Sequence, residues 1–205
     1  VTRDDLPDGG AFHFAATIEA LRHYSPEVVV EVLIPDFRGS FPAWQQVVNA
    51  RPAVLNHNVE TVPRLYPEVR PQANYQQSLA LLKRAKQLDS KLLTKSGFML
   101  GLGETKQEII DLMVDLKEAG CDIITMGQYL PPSFKHHSIV RYVPSEEFEE
   151  YRRIGEGMGF GAVVSAPLVR SSFQAAETYR RLRHGVNPPA VRAPDVGCSE
   201  VRRNP

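Results

Sequence analysis

A recurring alternation of short apolar, often β-branched runs with amphipathic helical stretches constrains this chain more than any other feature. Residues 28–34 are nearly continuous in valine, leucine and isoleucine, which suits a strand covered on both faces. Residues 53–55, 91–100, 122–126 and 162–164 return to the same character. Helical spacing occupies the intervals at residues 11–24, 42–49 and 74–88, the last with Leu79, Leu82 and Leu88 on one side and Lys83, Arg84 and Lys86 between them. Thr105-Lys106-Gln107-Glu108 is a capping box that opens another helix through Leu116, closed by Gly120, and Ser145 is expected to cap one running to about Met158. Strand followed by helix four times over requires a parallel sheet with helical crossovers. The fold class is therefore α/β, with a parallel (β/α) barrel or barrel fragment as the leading closure and four parallel strands expected.

A chain of 205 residues has room for one domain with a sizeable core, not for two of full size. Lys+Arg 24 against Asp+Glu 24 leaves no net field to attract a polyanion, so nucleic acid is not expected as a partner. The apolar runs fall far short of the roughly 20 residues that cross a bilayer, so no membrane partner is expected either. Cys121 and Cys198 are the only cysteines, too few for a disulfide framework or for a zinc or iron-sulfur site built from thiols alone, and a reducing, cytoplasmic compartment fits. The chain opens on Val1 and a turn-rich stretch without a visible signal or transit segment, which suggests a fragment whose missing front carries an address and part of the site, leaving an organellar origin open. Residues 1–184 read as the partial barrel with its C-terminal extension. Residues 185–205, with Pro188, Pro189, Pro194 and Pro205, read as a disordered tail.

In parallel α/β architectures ligands bind at the carboxyl ends of the strands, where the polar residues of this chain gather. Asp36 and Arg38 follow the first run, then Asn56, His57, Asn58 and Glu60, then Gly101, Gly103 and Glu104, then Gln128 and Tyr129. Loops are polar in any case, but four in succession at one rim point to a site. The dinucleotide fingerprint G-x-G-x-x-G is broken at Lys106, and no Gly-Lys-Ser/Thr follows. Lys95, inside a strand, is open to two readings: a desolvated Schiff-base nucleophile of an aldolase-like barrel, or a lysine paired to a carboxylate. His57 between two asparagines suits a hydrogen-bonding loop residue better than a metal ligand. The adjacent His136 and His137 diverge. These residues describe a small-molecule or nucleoside-type site, and a further alternative, which the shortage of cysteines favours, is a remnant that binds without turnover.

Several stretches together resemble lipoyl synthase, a family of radical S-adenosylmethionine enzymes. They are residues 3–10, 35–39, 56–61, 94–97, 99–105, 127–130 and 170–172, spanning Arg3 to about Tyr179. The resemblance implies a six-stranded partial barrel of the radical SAM type, its first strand and most of its second lying before Val1. It also implies sulfur insertion into a protein-bound octanoyl-lysine through a 5'-deoxyadenosyl radical. Cofactors would be S-adenosylmethionine and two 4Fe-4S clusters, held by C-x3-C-x2-C and C-x4-C-x5-C triplets that these 205 residues lack; the chain as given would then be inactive. Partners would be an octanoylated lipoyl carrier domain or a glycine cleavage H protein, with the enzyme a monomer.

Carried over residue by residue, the family motifs place S-adenosylmethionine against Asn56, Asn58, Glu60, Lys95, Gly101, Gly103, Glu104, Gln128, Tyr129 and Leu130. Amides and carboxylates suit ribose hydroxyls and an ammonium, and glycine admits adenine against backbone. Ser171, with Ser172 in reserve, would be a ligand of the auxiliary cluster; a hydroxyl binds iron less tightly than a thiolate. The competing assignment is that these serines cap the following helix. Phe173 stands where the motif has tyrosine, Ala166 where glycine is frequent and Pro131 where glutamine is frequent.

Overall fold

In the computed structural model, which describes residues 3 and 5–185, five strands pair in parallel in the order β1-β2-β3-β4-β5. These are β1 (Glu31–Leu33), β2 (Val54–Asn56), β3 (Leu93–Leu100), β4 (Ile123–Gln128) and β5 (Ala162–Ser165). Helices α1 (Ala11–Tyr24), α2 (Phe41–Asn49), α3 (Tyr66–Val69), α4 (Tyr75–Leu88), α5 (Lys106–Glu118), α6 (Ser145–Gly157) and α7 (Ala175–His184) complete the order. All five apolar runs pair, one strand more than the four expected, and even the three-residue β1 and β2 form parallel ladders. The expected tail and the first residues of the proposed domain lie outside the described residues, and no helix among those described is long and apolar enough to cross a membrane.

Parallel register gives the sheet its two faces, because partners at one level point the same way and side chains alternate along each strand. Val32 pairs with Leu55, Ser96 with Ile124 and Ile124 with Val163; this face packs under the helices, where Leu55, Phe98, Leu100, Ile124 and Met126 join the main core with Leu82, Leu112 and Phe148. The opposite face carries Glu31, Asn56, Lys95, Gly97, Thr125 and Gly127. At its amino-terminal end Val54, Ile123 and Ala162 form a second apolar cluster, with Tyr179 and Leu182 of α7 packed on it. Within the run expected to be buried, Val29 and Leu33 are about half exposed, 52% and 46%. The expectation of a first strand covered on both faces is therefore corrected: β1 is an edge strand, and α7 covers Val54, Ile123 and Ala162 but not its open side.

Local signals explain most boundaries. Asn74 accepts from the Gln77 backbone N–H to start α4, and Thr105 and Glu108 form the capping box of α5. The expected cap at Ser145 is corrected, since Ser145 is the first helical residue and Pro144 precedes it without a side-chain cap. Proline's fixed φ starts the helix there. Gly155 lets α6 approach the sheet: a Cβ on it would lie 2.9 Å from both Met113 Cε and Val163 Cγ2. Gly155→Val should therefore destabilise the fold by about 1–3 kcal/mol through overpacking, read as a lower urea midpoint with an unchanged slope. An unchanged midpoint would show that α6 yields freely.

Candidate functional site

Two adjoining clefts open at the carboxyl ends of the strands. The larger, about 740 Å³, is lined by the loops after β1 and β2 and the approach to α4, including Asp36, Arg38, Asn58, Glu60, Arg70 and Asn74. The smaller, about 180 Å³, lies over the open face of β3 and β4 and takes in Gly97, Thr125, Gly127, Gln128, Leu130 and Ser171. Asn58 and Glu60 belong to both.

The wall between the clefts is built from an unusual backbone. Glu60 has φ +65°, which a non-glycine residue rarely adopts, yet its N–H donates to Gly97 O (3.0 Å) and its carbonyl accepts from Met99 N (2.8 Å). Pairing along β3 thus imposes a strained conformation on a carboxylate-bearing residue, a pattern that gathers at functional sites. Burial pushes the Glu60 carboxyl above its usual range, while a hydrogen bond with Asn58 and the charge of Arg70 act in the opposite direction. Arg70 braces the wall: its Nη1 donates to Asn58 O, Val59 O and Tyr66 Oη at 3.1, 3.2 and 3.3 Å, and the guanidinium lies 5.4 Å from the Tyr66 ring centre.

His57 pins the base of the same loop. Its Nδ1 is 2.9 Å from Ile34 O and its Nε2 2.9 Å from Ser78 Oγ, so the ring ties β2 to the loop after β1 and to α4. Both nitrogens are engaged, as a hydrogen-bonding role requires. Burial is the main cause that lowers its pKa below the ordinary 6.5.

The residues singled out in the sequence separate into those that line a cleft and those that build around it. Asn58, Glu60, Gln128, Leu130 and Ser171 line one. Lys95 and Asn56 lie on the same face but beneath it. The Lys95 ammonium, 2% exposed, is 2.7 Å from Glu31 Oε1, and Asn56 Nδ2 is 3.5 Å from the same oxygen. Lys95 thus takes the carboxylate-paired alternative. Gly101, Gly103 and Glu104 form a self-contained loop: the Glu104 carboxylate accepts from Gly101 N (2.6 Å) and Leu102 N (2.9 Å), and the side of Gly101 that a Cβ would occupy holds Arg141 O and Gln128 Nε2. Gln128 locks the rim, its Oε1 accepting from Val143 N and its Nε2 donating to Arg141 O. Tyr129 is buried, its hydroxyl donating to His137 O. Ser172 is exposed. Neither serine caps the following helix, whose N-cap is Gln174 with no side-chain bond.

The sequence reading passed over Arg70 and Thr125. Thr125 could have been found from Gly97: a glycine inside a buried strand marks close approach, and the register sets Thr125 beside it. A Cβ on Gly97 would fall 2.6 Å from Thr125 Oγ1 and 3.0 Å from Asn58 Oδ1. Arg70 gives no such signal, since it lies fourteen residues past the end of β2.

A parallel sheet with helices α1 to α6 outside it and a glycine-containing polar cleft over the carboxyl end of its other face defines the class. The profile of the radical SAM superfamily matches residues 1–116, and the chain belongs to that superfamily. More particularly, it is similar to lipoyl synthases: 58% identical over 175 residues to that of Caldanaerobacter subterraneus subsp. tengcongensis (85% of this chain, 61% of the relative). It is 55% identical over 178 residues to that of Caldicellulosiruptor saccharolyticus (87% and 62%) and 54% over 178 residues to that of Aquifex aeolicus (87% and 64%). The chain thus spans about three fifths of the length of these curated relatives. Among solved structures, methylornithine synthase matches with a TM-score of 0.51 at 13% identity, over 87% of this chain and 64% of that one, a likeness of fold.

The loop after β2 generates a pH prediction. A buried neutral imidazole contributes stability that is complete above pH 6.5 and is lost as pH falls from there toward the folded-state value, because the unfolded chain then binds the extra proton. Glu60 acts with the opposite sign, its raised carboxyl pKa removing stability as pH rises through that value. The melting temperature should therefore fall between about pH 7.5 and pH 5.5, and less steeply in His57→Gln than in the wild type. Parallel slopes would show that His57 titrates alike in both states.

Proposed function

We propose that the protein to which this chain belongs is a lipoyl synthase, inserting sulfur into an octanoyl-lysine carried on a lipoyl carrier domain or glycine cleavage H protein in a reducing, cytoplasmic compartment. The observation that carries the reading is the glycine-lined cleft shared by Asn58, Glu60, Gln128 and Ser171, in a chain 52–58% identical to enzymes of that name. S-adenosylmethionine fits this cleft chemically. Oδ1 of Asn56, Oδ1 of Asn58 and Oγ1 of Thr61 are buried without hydrogen-bond partners among the described residues, and ammonium or ribose donors answer the Asn58 acceptor at the cleft wall. Asn58 and Glu60 would hold these polar groups, and Gly97 leaves the open face low enough for a flat ring. When bound, the cofactor supplies a hydrogen-abstracting radical.

The iron-sulfur clusters are another matter. Among the described residues no group of three or more His, Cys, Asp or Glu could hold a metal, and the Cys121 thiol is buried against Ile123 O with its pKa pushed up to about 12. The described residues therefore do not form a cluster site, and the reading assigns the cysteine ligands to the remaining length of the protein. Ser171 is the one ligand candidate here: half-buried in the smaller cleft, its hydroxyl has no partner among the described residues. The Schiff-base alternative loses ground, because Lys95 reaches neither cleft and is neutralised by Glu31.

In the full-length protein, Ser171→Ala should leave 5'-deoxyadenosine formation largely intact while lowering lipoyl product at least about tenfold, as should Ser171→Cys, whose thiolate resists release. Both products are measured in the same reaction, with Ser172→Ala alongside. Normal lipoyl product from both Ser171 variants would end the assignment, and loss confined to Ser172→Ala would move it one residue along.

A further inference from the structure

The larger cleft contains a cation whose hydrogen-bonding capacity is only partly used. Arg70 is fixed in place by three acceptors on a single nitrogen, Nη1, and by packing over Tyr66. Its Nε and Nη2 have no partner among the described residues, and it forms no ion pair there. A guanidinium held rigid at one corner, with its remaining donors in a plane, is pre-organised for a carboxylate, which it can take side-on through two parallel bonds. Arg70 lines the larger cleft and not the smaller. Gln72 and Asn74, on the same wall, offer amide groups that match a peptide backbone. The cleft's volume lies within the range of ordinary ligand pockets.

We propose that Arg70 recognises an acidic side chain next to the modified lysine of the substrate polypeptide, which lies extended in the larger cleft with its acyl chain directed at the Asn58–Glu60 wall. This rests on the proposed sulfur-insertion reading and adds what selects the lysine. Asp36 and Glu60 line the same cleft, so it favours a single carboxylate over an acidic run. One oxygen of Asp36 accepts from Arg38 N and the other from Gln77 Nε2, leaving Asp36 committed to its own loop.

The test uses the full-length protein and fluorescent octanoyl-lysine peptides with aspartate immediately before or after the lysine, against the same peptides with asparagine. Anisotropy should show the better-placed aspartate binding about tenfold more tightly, as a charge-assisted pair implies. Arg70→Gln also removes bonds that brace the loop after β2, so it is read by the ratio of the two affinities, which should fall to about one, with an unchanged circular dichroism spectrum showing that it is folded; Arg70→Lys should retain part of the preference. Equal affinities in the wild type, or a preference that survives Arg70→Gln, would overturn the proposal. So would an Arg70→Gln protein that loses S-adenosylmethionine affinity but keeps the peptide preference, because the carboxylate would then be the cofactor's. Lipoyl product from both peptides without an acidic preference would remove this inference alone. An intact Arg70-dependent preference with no product would remove the sulfur-insertion reading alone.

Discussion

The parallel ladder that joins β3 to β2 and β4 is the constraint from which the rest follows. β3 is the longest strand, and its pairing with both neighbours fixes which alternate side chains meet the helices and which meet the cleft. A one-residue slip would turn Phe98 and Leu100 to the polar face and drive Lys95 into the apolar core. The ladder also continues past the end of β2, where Glu60 N and O bond to Gly97 and Met99, and so carries the strained Glu60 into place. Sheet formation and the shape of the site are one event.

Beneath the cleft, Glu31, Asn56 and Lys95 come from three successive strands and meet around one carboxylate oxygen. An almost fully buried ammonium costs several kcal/mol if left alone, so its partner is obligatory. The pair links β1 to β3 across β2, attaching a three-residue edge strand whose own ladder is short. It also explains why a lysine among Leu92, Leu93 and Thr94 needs no catalytic role: its charge is met within the sheet.

Much of this was legible in the sequence, because continuous apolar runs and helical patterns report burial directly. The limits of α1, the capping box of α5 and the polar character of the rim all follow from local chemistry. The extent of the strands did not: of the apolar run at 28–34 only Glu31–Leu33 forms β1, because the length of an edge strand is set by its partner rather than by its own propensity. The division of rim residues was also hidden. Glu104 and Gln128 look alike as polar strand-end residues, yet Glu104 is consumed by Gly101 and Leu102 N–H groups while Gln128 both locks the rim and touches the cleft. Family resemblance marked these positions without separating the two uses. Arg70 lay beyond both signals, far from any strand end and outside the stretches that carried the likeness.

That division has a physical basis. A rim loop must first satisfy its own backbone, because unpaired N–H and C=O groups near a core are costly. The β3–α5 loop does this with its own carboxylate, and the β4–α6 loop with Gln128, so their polar side chains are spent on the fold. The loop after β2 is satisfied from outside, by Arg70 on its carbonyls and by His57 reaching Ile34 O and Ser78. Support from neighbouring elements leaves the Asn58 Oδ1 acceptor uncommitted, and that freedom, more than polarity as such, distinguishes a residue that can bind a ligand from one that only shapes the rim.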